Sequence, residues 1–299
     1  MQYRNIVISK AKELTIKNSQ LIIDQENDIS FPLEDINSII VENQHTMISS
    51  YALRLIAEND IACYICDDKH IPSAVLLPME KHSRHFKMLK AQMEIPKPLQ
   101  KQIWQSIISK KIENQANCLR LLEIEGSEKL AKMAAEVKSG DTTHVESKAA
   151  AYYFRCLFGD DFSRSDDTMV NSALNYGYAI IRGMIARTIV AYGYEPSLGI
   201  WHKSELNSYN LADDFIEPFR PLVDLYVMSY VDTEKEELEP IDKREILRML
   251  NYDMQVDGDN RVPKNCIDLM VASYTSSLEN AENRIVLPSL VELREHRYE

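Results

Sequence analysis

Residues 61–98 read IACYICDDKHIPSAVLLPMEKHSRHFKMLKAQMEIPKP, and the chain changes character inside this stretch. Before Pro78 the text consists of short apolar runs of strand type, IACYICDD (61–68) and SAVLLP (73–78). From Lys81 onward apolar residues recur at helical spacing over long segments, with Pro-bearing or Gly-bearing breaks such as IPKP (95–98), FGDD (158–161) and YGYEP (192–196). Toward the N-terminus the strand pattern repeats in NIVIS, ELTIK, QLIID and SIIVE, divided by polar turn pieces KNSQ and QENDIS. One helix interrupts it, SYALRLIAEND (50–60), with Leu53, Ile56 and Ala57 on one face. A run of strands followed by a run of helices argues α+β with separate domains, not alternating βαβ units around a parallel sheet. The expectation is a β-rich domain over 1–80 and a larger, all-α domain over 81–299, with no internal repeat.

With 299 residues, 45% hydrophobic and 27% charged, the chain has the balance of an ordinary globular protein. The opening MQYRNIVISKAKEL lacks the charged and apolar regions of an export signal, and no run approaches about 18 consecutive apolar residues. Five cysteines, an odd number, fit reduced thiols better than a disulfide framework, so the expected location is cytoplasmic. The net charge of -12 counts against a simple DNA-coating protein. That charge is uneven: Lys81, Arg84, Lys87, Lys90, Lys97, Lys101, Lys110, Lys111 and Arg120 form a basic middle, while acids crowd the last third, as between Asp232 and Asp242. The basic middle reads equally as a DNA-facing surface or as ordinary solvated helix.

Two stretches hold candidate chemistry. In TTHVESKAAAYYFRCLFG (142–159) a helix ends at Gly159, and Glu146 lies in its first turn. Thr143 and Glu146 also spell a capping box, which is the plainer account of that glutamate. In EPSLGIWHKSELNSYNLADDFIEPFRPLVD (195–224) an apolar segment runs directly up to His202. Asn210 is placed to cap a helix from which Asp214 and Glu217, three apart, project together. For Asp213 and Asp214 the alternative is favourable charge at a helix N-terminus. Glu217 stands before Pro218, where the backbone is biased away from helix, with Arg220 and Pro221 beyond. Glu146, His202 and Glu217 together make a mixed oxygen and nitrogen donor set suited to magnesium or manganese. Such an ion polarises phosphoryl oxygens and activates oxygen nucleophiles. Cys63 and Cys66 form a lone C-x-x-C inside an apolar strand and read as core. His82, His85 and His144 read as polar surface or DNA-facing groups. The phosphate-binding loop, dinucleotide turn and serine elbow motifs are all absent from the sequence.

FGDDF (158–162), NSALNYGYAIIRGMIAR (171–187), LGIWH (198–202) and NLADDFIEPFRPLVD (210–224) together resemble the CRISPR adaptation integrase family, in the form found with type II systems. The resemblance covers residues 1 to about 230. It implies an N-terminal β-sandwich-like domain for dimerisation and partner contacts, joined to a helical catalytic domain. It implies metal ligands at Glu146, His202 and Glu217 holding Mg2+ or Mn2+, with Asp214 an auxiliary acid and His202 both ligand and proton partner. Arg220 and Asn207 are candidates for phosphate contact, while Asn175 and Tyr176 support packing. Many relatives carry aspartate at the third ligand position, where this chain has Glu217.

The implied reaction is ATP-independent transesterification, in which the 3′-hydroxyl of a double-stranded prespacer attacks a phosphodiester at the leader–repeat boundary of a CRISPR array. DNA endonuclease activity accompanies it. The implied assembly is a homodimer, two of which are bridged by the second CRISPR-associated protein into a heterohexamer. Further implied partners are the type II end-binding accessory protein and the effector nuclease, with no membrane. Two other readings stay open: a stand-alone metal-dependent nuclease on branched DNA, and a non-catalytic DNA-binding scaffold.

Overall fold

The computed structural model describes residues 4–24, 28–68, 72–77 and 84–297. The chain divides into two compact units, Met1–Lys81 and His82–Glu299. Pro78, Lys81 and His82, on which the sequence boundary and one histidine reading fall, lie outside the described residues.

The first unit holds β1 (Arg4–Ile8), β2 (Glu13–Lys17), β3 (Gln20–Asp24), β4 (Ile29–Pro32), β5 (Ile36–Val41), β6 (Met47–Ile48), α1 (Ser50–Glu58), β7 (Ala62–Cys66) and β8 (Pro72–Val75). They form two four-stranded sheets, ordered β1-β5-β7-β8 and β4-β3-β2-β6. β2 and β3 alternate buried and open positions, as the ELTIK and QLIID patterns require of strands with one face on a core. The turn joining them puts Asn18 and Ser19 at φ 52 and 57, the left-handed pair that a two-residue hairpin demands. β5 is buried at every position because it runs parallel between β1 and β7 and is covered on both faces. Ser49 caps α1 by accepting from the Ala52 N–H at 3.1 Å. Leu14, Leu21, Ile36, Ile39, Ala52, Ile56 and Cys63 share one core. Burial pushes the Cys63 thiol up to about 12, and Cys66 is buried beside it in β7, as core cysteines are.

The second unit holds α2 (His85–Met93), α3 (Lys97–Leu121), α4 (Ser127–Glu136), α5 (Val145–Phe158), α6 (Met169–Ala191), α7 (Asn210–Phe215), α8 (Arg220–Tyr230), α9 (Pro240–Leu247), β9 (Tyr252–Val256), β10 (Asp259–Arg261), α10 (Pro263–Asn280) and β11 (Ser289–Glu295). α3 is buried along much of its length, with Ile103, Ile107, Ile108, Ile112 and Leu119 fully buried and Lys101, Gln102, Glu113 and Arg120 exposed, and it packs against α4, α5, α8 and β11. Gly177 lets α6 meet α8 closely, since a Cβ there would stand 2.4 Å from Val223.

The fold class is α+β, and the second unit is predominantly helical. It departs from an all-α domain in its last fifth, where β10-β9-β11 form a three-stranded antiparallel sheet. Tyr252, Met254 and Val256 alternate inward, and Asp257 and Gly258 at φ 51 and 89 close the hairpin, an Asp-Gly turn of the kind strands favour. No helix among the described residues is long and apolar enough to cross a membrane.

Candidate active site

Glu146 enters the site from the first turn of α5, but Thr143 does not cap that helix. Asp141 does, its two carboxylate oxygens accepting from the Val145 N–H at 2.8 Å and the Glu146 N–H at 3.0 Å. The chain reaches this geometry through left-handed residues at Gly140, Asp141 and His144. Because Asp141 already satisfies those donors, the Glu146 carboxylate is free to face Lys111, whose Nζ it meets at 2.7 Å.

The same ammonium stands 2.5 Å from Glu217 Oε2. Both glutamates therefore touch one nitrogen, and their oxygens lie no farther apart than those two contacts laid end to end. Glu217 reaches this point because the helical path breaks before Pro218. α7 stops at Phe215, Glu217–Phe219 form a single 3-10 turn, and α8 starts at Arg220 with Pro221 in its first turn. Asn114 of α3 fixes that turn by donating to the Pro218 carbonyl at 2.7 Å and to Pro288 at 3.0 Å, while accepting from the Leu290 N–H at 2.9 Å.

Arg220 Nε donates to Glu217 Oε1 at 2.9 Å, and its guanidinium lies 4.7 Å from the centre of the Tyr178 ring. Burial alone would push the Glu217 carboxyl up, but the Arg220 and Lys111 charges outweigh it and hold it down at about 2. Burial would likewise lower Lys111; Glu217 and Glu146 reverse that and keep it above the ordinary lysine range.

His202 is held differently. Asp214 is fully buried, and its carboxylate collects the Trp201 N–H at 2.9 Å, the His202 N–H at 3.1 Å and His202 Nδ1 at 2.7 Å. A carboxylate accepts, so Nδ1 carries the proton and Nε2 presents its lone pair. The hydrogen bond to Asp214 pushes the imidazole up against the opposing effect of burial, with the charges of Asp214, Glu217 and Asp213 adding to the rise. On Asp214 itself, burial pushes the carboxyl up while those donors pull it down. The imidazole lies edge-on to Trp104 at 5.6 Å, and Trp104 stacks on Trp201 at 5.5 Å. Gly199 is obligatory for the tight bend: a Cβ there would meet the His202 carbonyl oxygen at 2.3 Å and Asp214 Oδ2 at 2.9 Å.

Asp214 and Glu217 thus serve different partners. Asn210 does not cap α7 either; its amide ties the loop before it, donating to the Ser197 and Ser204 carbonyls at 3.0 and 2.9 Å. Asn207 is engaged inside the protein, donating to Asp213 at 2.6 Å and accepting from Arg182 at 3.0 Å. Arg182 in turn pairs with Asp213, so that aspartate belongs to a local network. Asn175 accepts from Arg164 at 2.6 Å, and Tyr176 packs fully buried in α6. His85 and His144 are exposed. In the basic middle, Lys87 pairs with Glu279, Lys90 with Glu94 and Lys110 with Glu113, leaving Lys97, Lys101 and Arg120 among the exposed cations.

Behind the site lies a buried group that no motif announced. Asp224 accepts from Tyr153 at 2.9 Å and from Tyr178, the ring under Arg220. Burial pushes Asp224 up to about 6 although both hydroxyls favour its charge, and it raises both tyrosines further. Lys111 was the other omission, counted only as one surface charge among many. Its signal was present: Ile103, Ile107, Lys111, Asn114 and Cys118 fall at helical spacing on the buried stripe of α3.

Among the described residues, no three His, Cys, Asp or Glu side chains stand close enough to share one metal ion as they are. The chemistry of the donors nevertheless fits a hard divalent cation. Two carboxylates already share a cationic partner, and Glu217 Oε2 has only that ion contact, without an aligned hydrogen bond. His202, a half-exposed imidazole with one nitrogen held by a buried aspartate, is a nitrogen donor in the same unit but is not grouped with the two carboxylates.

Comparison with solved structures gives the fold its class, that of Cas1 proteins and casposases. The structure of a casposase bound to integration product matches with a TM-score of 0.78 at 21% identity, over 95% of this chain and 92% of that one. A Cas1 protein from Thermotoga maritima matches with a TM-score of 0.74 at 15% identity, over 94% and 99%. A chain of a Cas6-RT-Cas1–Cas2 complex matches at 0.71 and 17% identity, over 97% of this chain and 36% of that one. The protein belongs to the Cas1 family: residues 6–254 match the family of CRISPR associated protein Cas1. It is 40% identical over 308 residues to the CRISPR-associated endonuclease Cas1 of Neisseria meningitidis serogroup C (strain 8013), spanning the whole of both chains. A second relative, a CRISPR-associated endonuclease Cas1 of Saccharolobus solfataricus, is 28% identical over 230 residues, 75% of this chain and 74% of its own.

Proposed function

We propose that the protein carries out spacer acquisition as a metal-dependent DNA integrase with endonuclease activity, joining prespacer 3′-hydroxyl ends to a CRISPR repeat. The observation that carries this reading is the meeting of Glu146 and Glu217 on one cation, in the same unit as an Asp214-held His202. Glu146, Glu217 and His202 Nε2 would hold Mg2+ or Mn2+. When bound, such an ion polarises a phosphoryl oxygen and favours the deprotonated form of an attacking hydroxyl.

The chain's own side chains do the positioning. Asp214 fixes the imidazole tautomer, so that in the neutral ring Nδ1 carries the proton and Nε2 the lone pair. Arg220 locks Glu217 Oε1 and leaves Oε2 as the oxygen toward Lys111. The Trp104–Trp201 stack stiffens the residue immediately before His202. In the reaction one O–P bond forms from the 3′-hydroxyl and one O–P bond of the repeat breaks, its oxygen leaving to take up a proton; no nucleotide is consumed.

Two structural neighbours, a casposase bound to integration product and a complex of Cas1 with Cas2, support joining and a Cas2-type partner. On this reading the protein works as a homodimer, paired through a Cas2-type protein into a heterohexamer on double-stranded DNA. The strand-rich unit then supplies dimer and partner contacts, and the type II end-binding protein and effector nuclease are further partners.

Labelled prespacer and a repeat-bearing plasmid, incubated with the protein, its Cas2-type partner and Mn2+, test the reading. Glu146→Ala, His202→Ala and Glu217→Ala are each expected to lower joined product by at least about a hundredfold. Joining that survives all three substitutions points to a scaffold. Hydrolysed ends formed without the partner point to a stand-alone nuclease.

A further inference from the structure

Lys111 is an unusual residue to find at the heart of a cation site. Its side chain is only 10% exposed, on the buried stripe of α3, where a lone ammonium is costly. Its two contacts, 2.7 Å to Glu146 Oε1 and 2.5 Å to Glu217 Oε2, are to the two carboxylates on which the metal reading depends. Counting Arg220 on Glu217, the cluster holds two negative and two positive charges. It is electrically complete without any ion.

We propose that Lys111 is a resident counterion that stands between Glu146 and Glu217 in the place of a divalent cation, so that the cation binds weakly until a DNA phosphate adds negative charge. This inference rests on the metal-site reading above. Adding a divalent ion to a balanced, largely buried cluster leaves two uncompensated positive charges, a cost that grows as water is excluded. A phosphate diester removes one of them and gives the displaced ammonium an anion to face.

The two cations of the cluster are built for different parts. Arg220 is pinned, its Nε on Glu217 and its guanidinium over the Tyr178 ring. Lys111 is a compact charge on a four-carbon stem with rotatable bonds, and one of its partners, Glu146, is 29% exposed. The ammonium therefore has a way to withdraw toward the Glu146 side, while Arg220 keeps Glu217 oriented.

Calorimetric titration of the full-length protein with Mn2+, with and without a duplex carrying single-stranded 3′ ends, tests the proposal on Lys111→Met. Without DNA, K111M is expected to bind Mn2+ about tenfold more tightly or better, the scale on which one neighbouring charge moves an ion equilibrium. DNA is expected to tighten Mn2+ binding by the unaltered protein more than by K111M. In EDTA, K111M is expected to melt earlier and to recover on adding Mn2+. If it is too unstable to purify, K111M/E146Q is expected to restore folding in EDTA by removing the carboxylate charge that lost its cation while keeping the Glu217–Arg220 pair, and a failure of both Mn2+ and E146Q to rescue it overturns the counterion role. K111M binding Mn2+ no more tightly than the unaltered protein also overturns it and leaves the metal site standing. An unaltered protein that takes up no Mn2+ at millimolar concentration, with or without DNA, overturns the metal reading itself.

Discussion

Replacing Asp214 by asparagine keeps the shape of the side chain and removes its charge. In the structure Oδ2 serves the Trp201 N–H at 2.9 Å, and Oδ1 serves both the His202 N–H at 3.1 Å and the Nδ1–H at 2.7 Å. An amide has one accepting oxygen. Whichever way it turns, its NH2 faces at least one of these donors at a fully buried position. One orphaned buried donor costs about 1–3 kcal/mol, and losing the charge weakens the bonds that remain, so the expected loss of stability is about 2–4 kcal/mol. The imidazole also loses the partner that fixes its tautomer, which lowers metal affinity and joining by about 10–100-fold. Thermal or urea unfolding reads the first number, and Mn2+ titration with the joining assay reads the second. The reasoning fails if Asp214→Asn joins DNA and binds Mn2+ as the unaltered protein does, because His202 would then need no orienting partner.

Gly199→Ala is expected to act on the same group from the other side, since its Cβ would intrude on the His202 carbonyl and Asp214; a loss of about 1–3 kcal/mol in melting and at least a tenfold loss of joining are expected. Asn114→Ala leaves the Pro218 carbonyl and the Leu290 N–H without their buried partner, so a loss of about 2–4 kcal/mol by urea unfolding is expected. Asp224 carries a pH signature. Its folded pKa, about 6, lies above the ordinary 3.8, so the stability it contributes is complete below about pH 3.8 and is lost as pH rises through 6, by about 3 kcal/mol at most. Asp224→Asn does not titrate, so its stability relative to the unaltered protein should climb between pH 4 and 7; a flat difference in urea unfolding over that range counts against a raised Asp224.

The sheets of the first unit could be read because ELTIK and QLIID alternate strictly and a hairpin turn separates them. The sheet of the second unit was missed although YDMQVDGDNRV contains an Asp-Gly turn between alternating residues, because helices on both sides set the expectation. Local spacing also misled where two local solutions competed. Thr143 and Glu146 spell a capping box, yet Asp141 takes the cap and a left-handed His144 occupies the N-cap position. Family resemblance supplied Glu146, His202 and Glu217, and spacing supplied reasons to notice Asp214 and Glu217. Neither could reveal that these two acids part company, one to His202 and one to Lys111, because that division is made by tertiary contacts.

One face of one helix organises those contacts. Trp104, Lys111 and Asn114 lie seven and three residues apart on α3, which places them along a single stripe about 15 Å long. Trp104 stacks on Trp201 and meets the edge of His202; Lys111 joins Glu146 to Glu217; Asn114 clamps the carbonyl of Pro218. Three parts of the chain, around Glu146, His202 and Glu217, are therefore indexed against a common rigid edge. Glu146 and Glu217 are thus tied to α3 through Lys111, and His202 through Trp104, although none of the three lies on that helix. It also places the strain of any change in that helix at the site: a shift of one turn, about 5.4 Å, would separate Lys111 from both carboxylates at once.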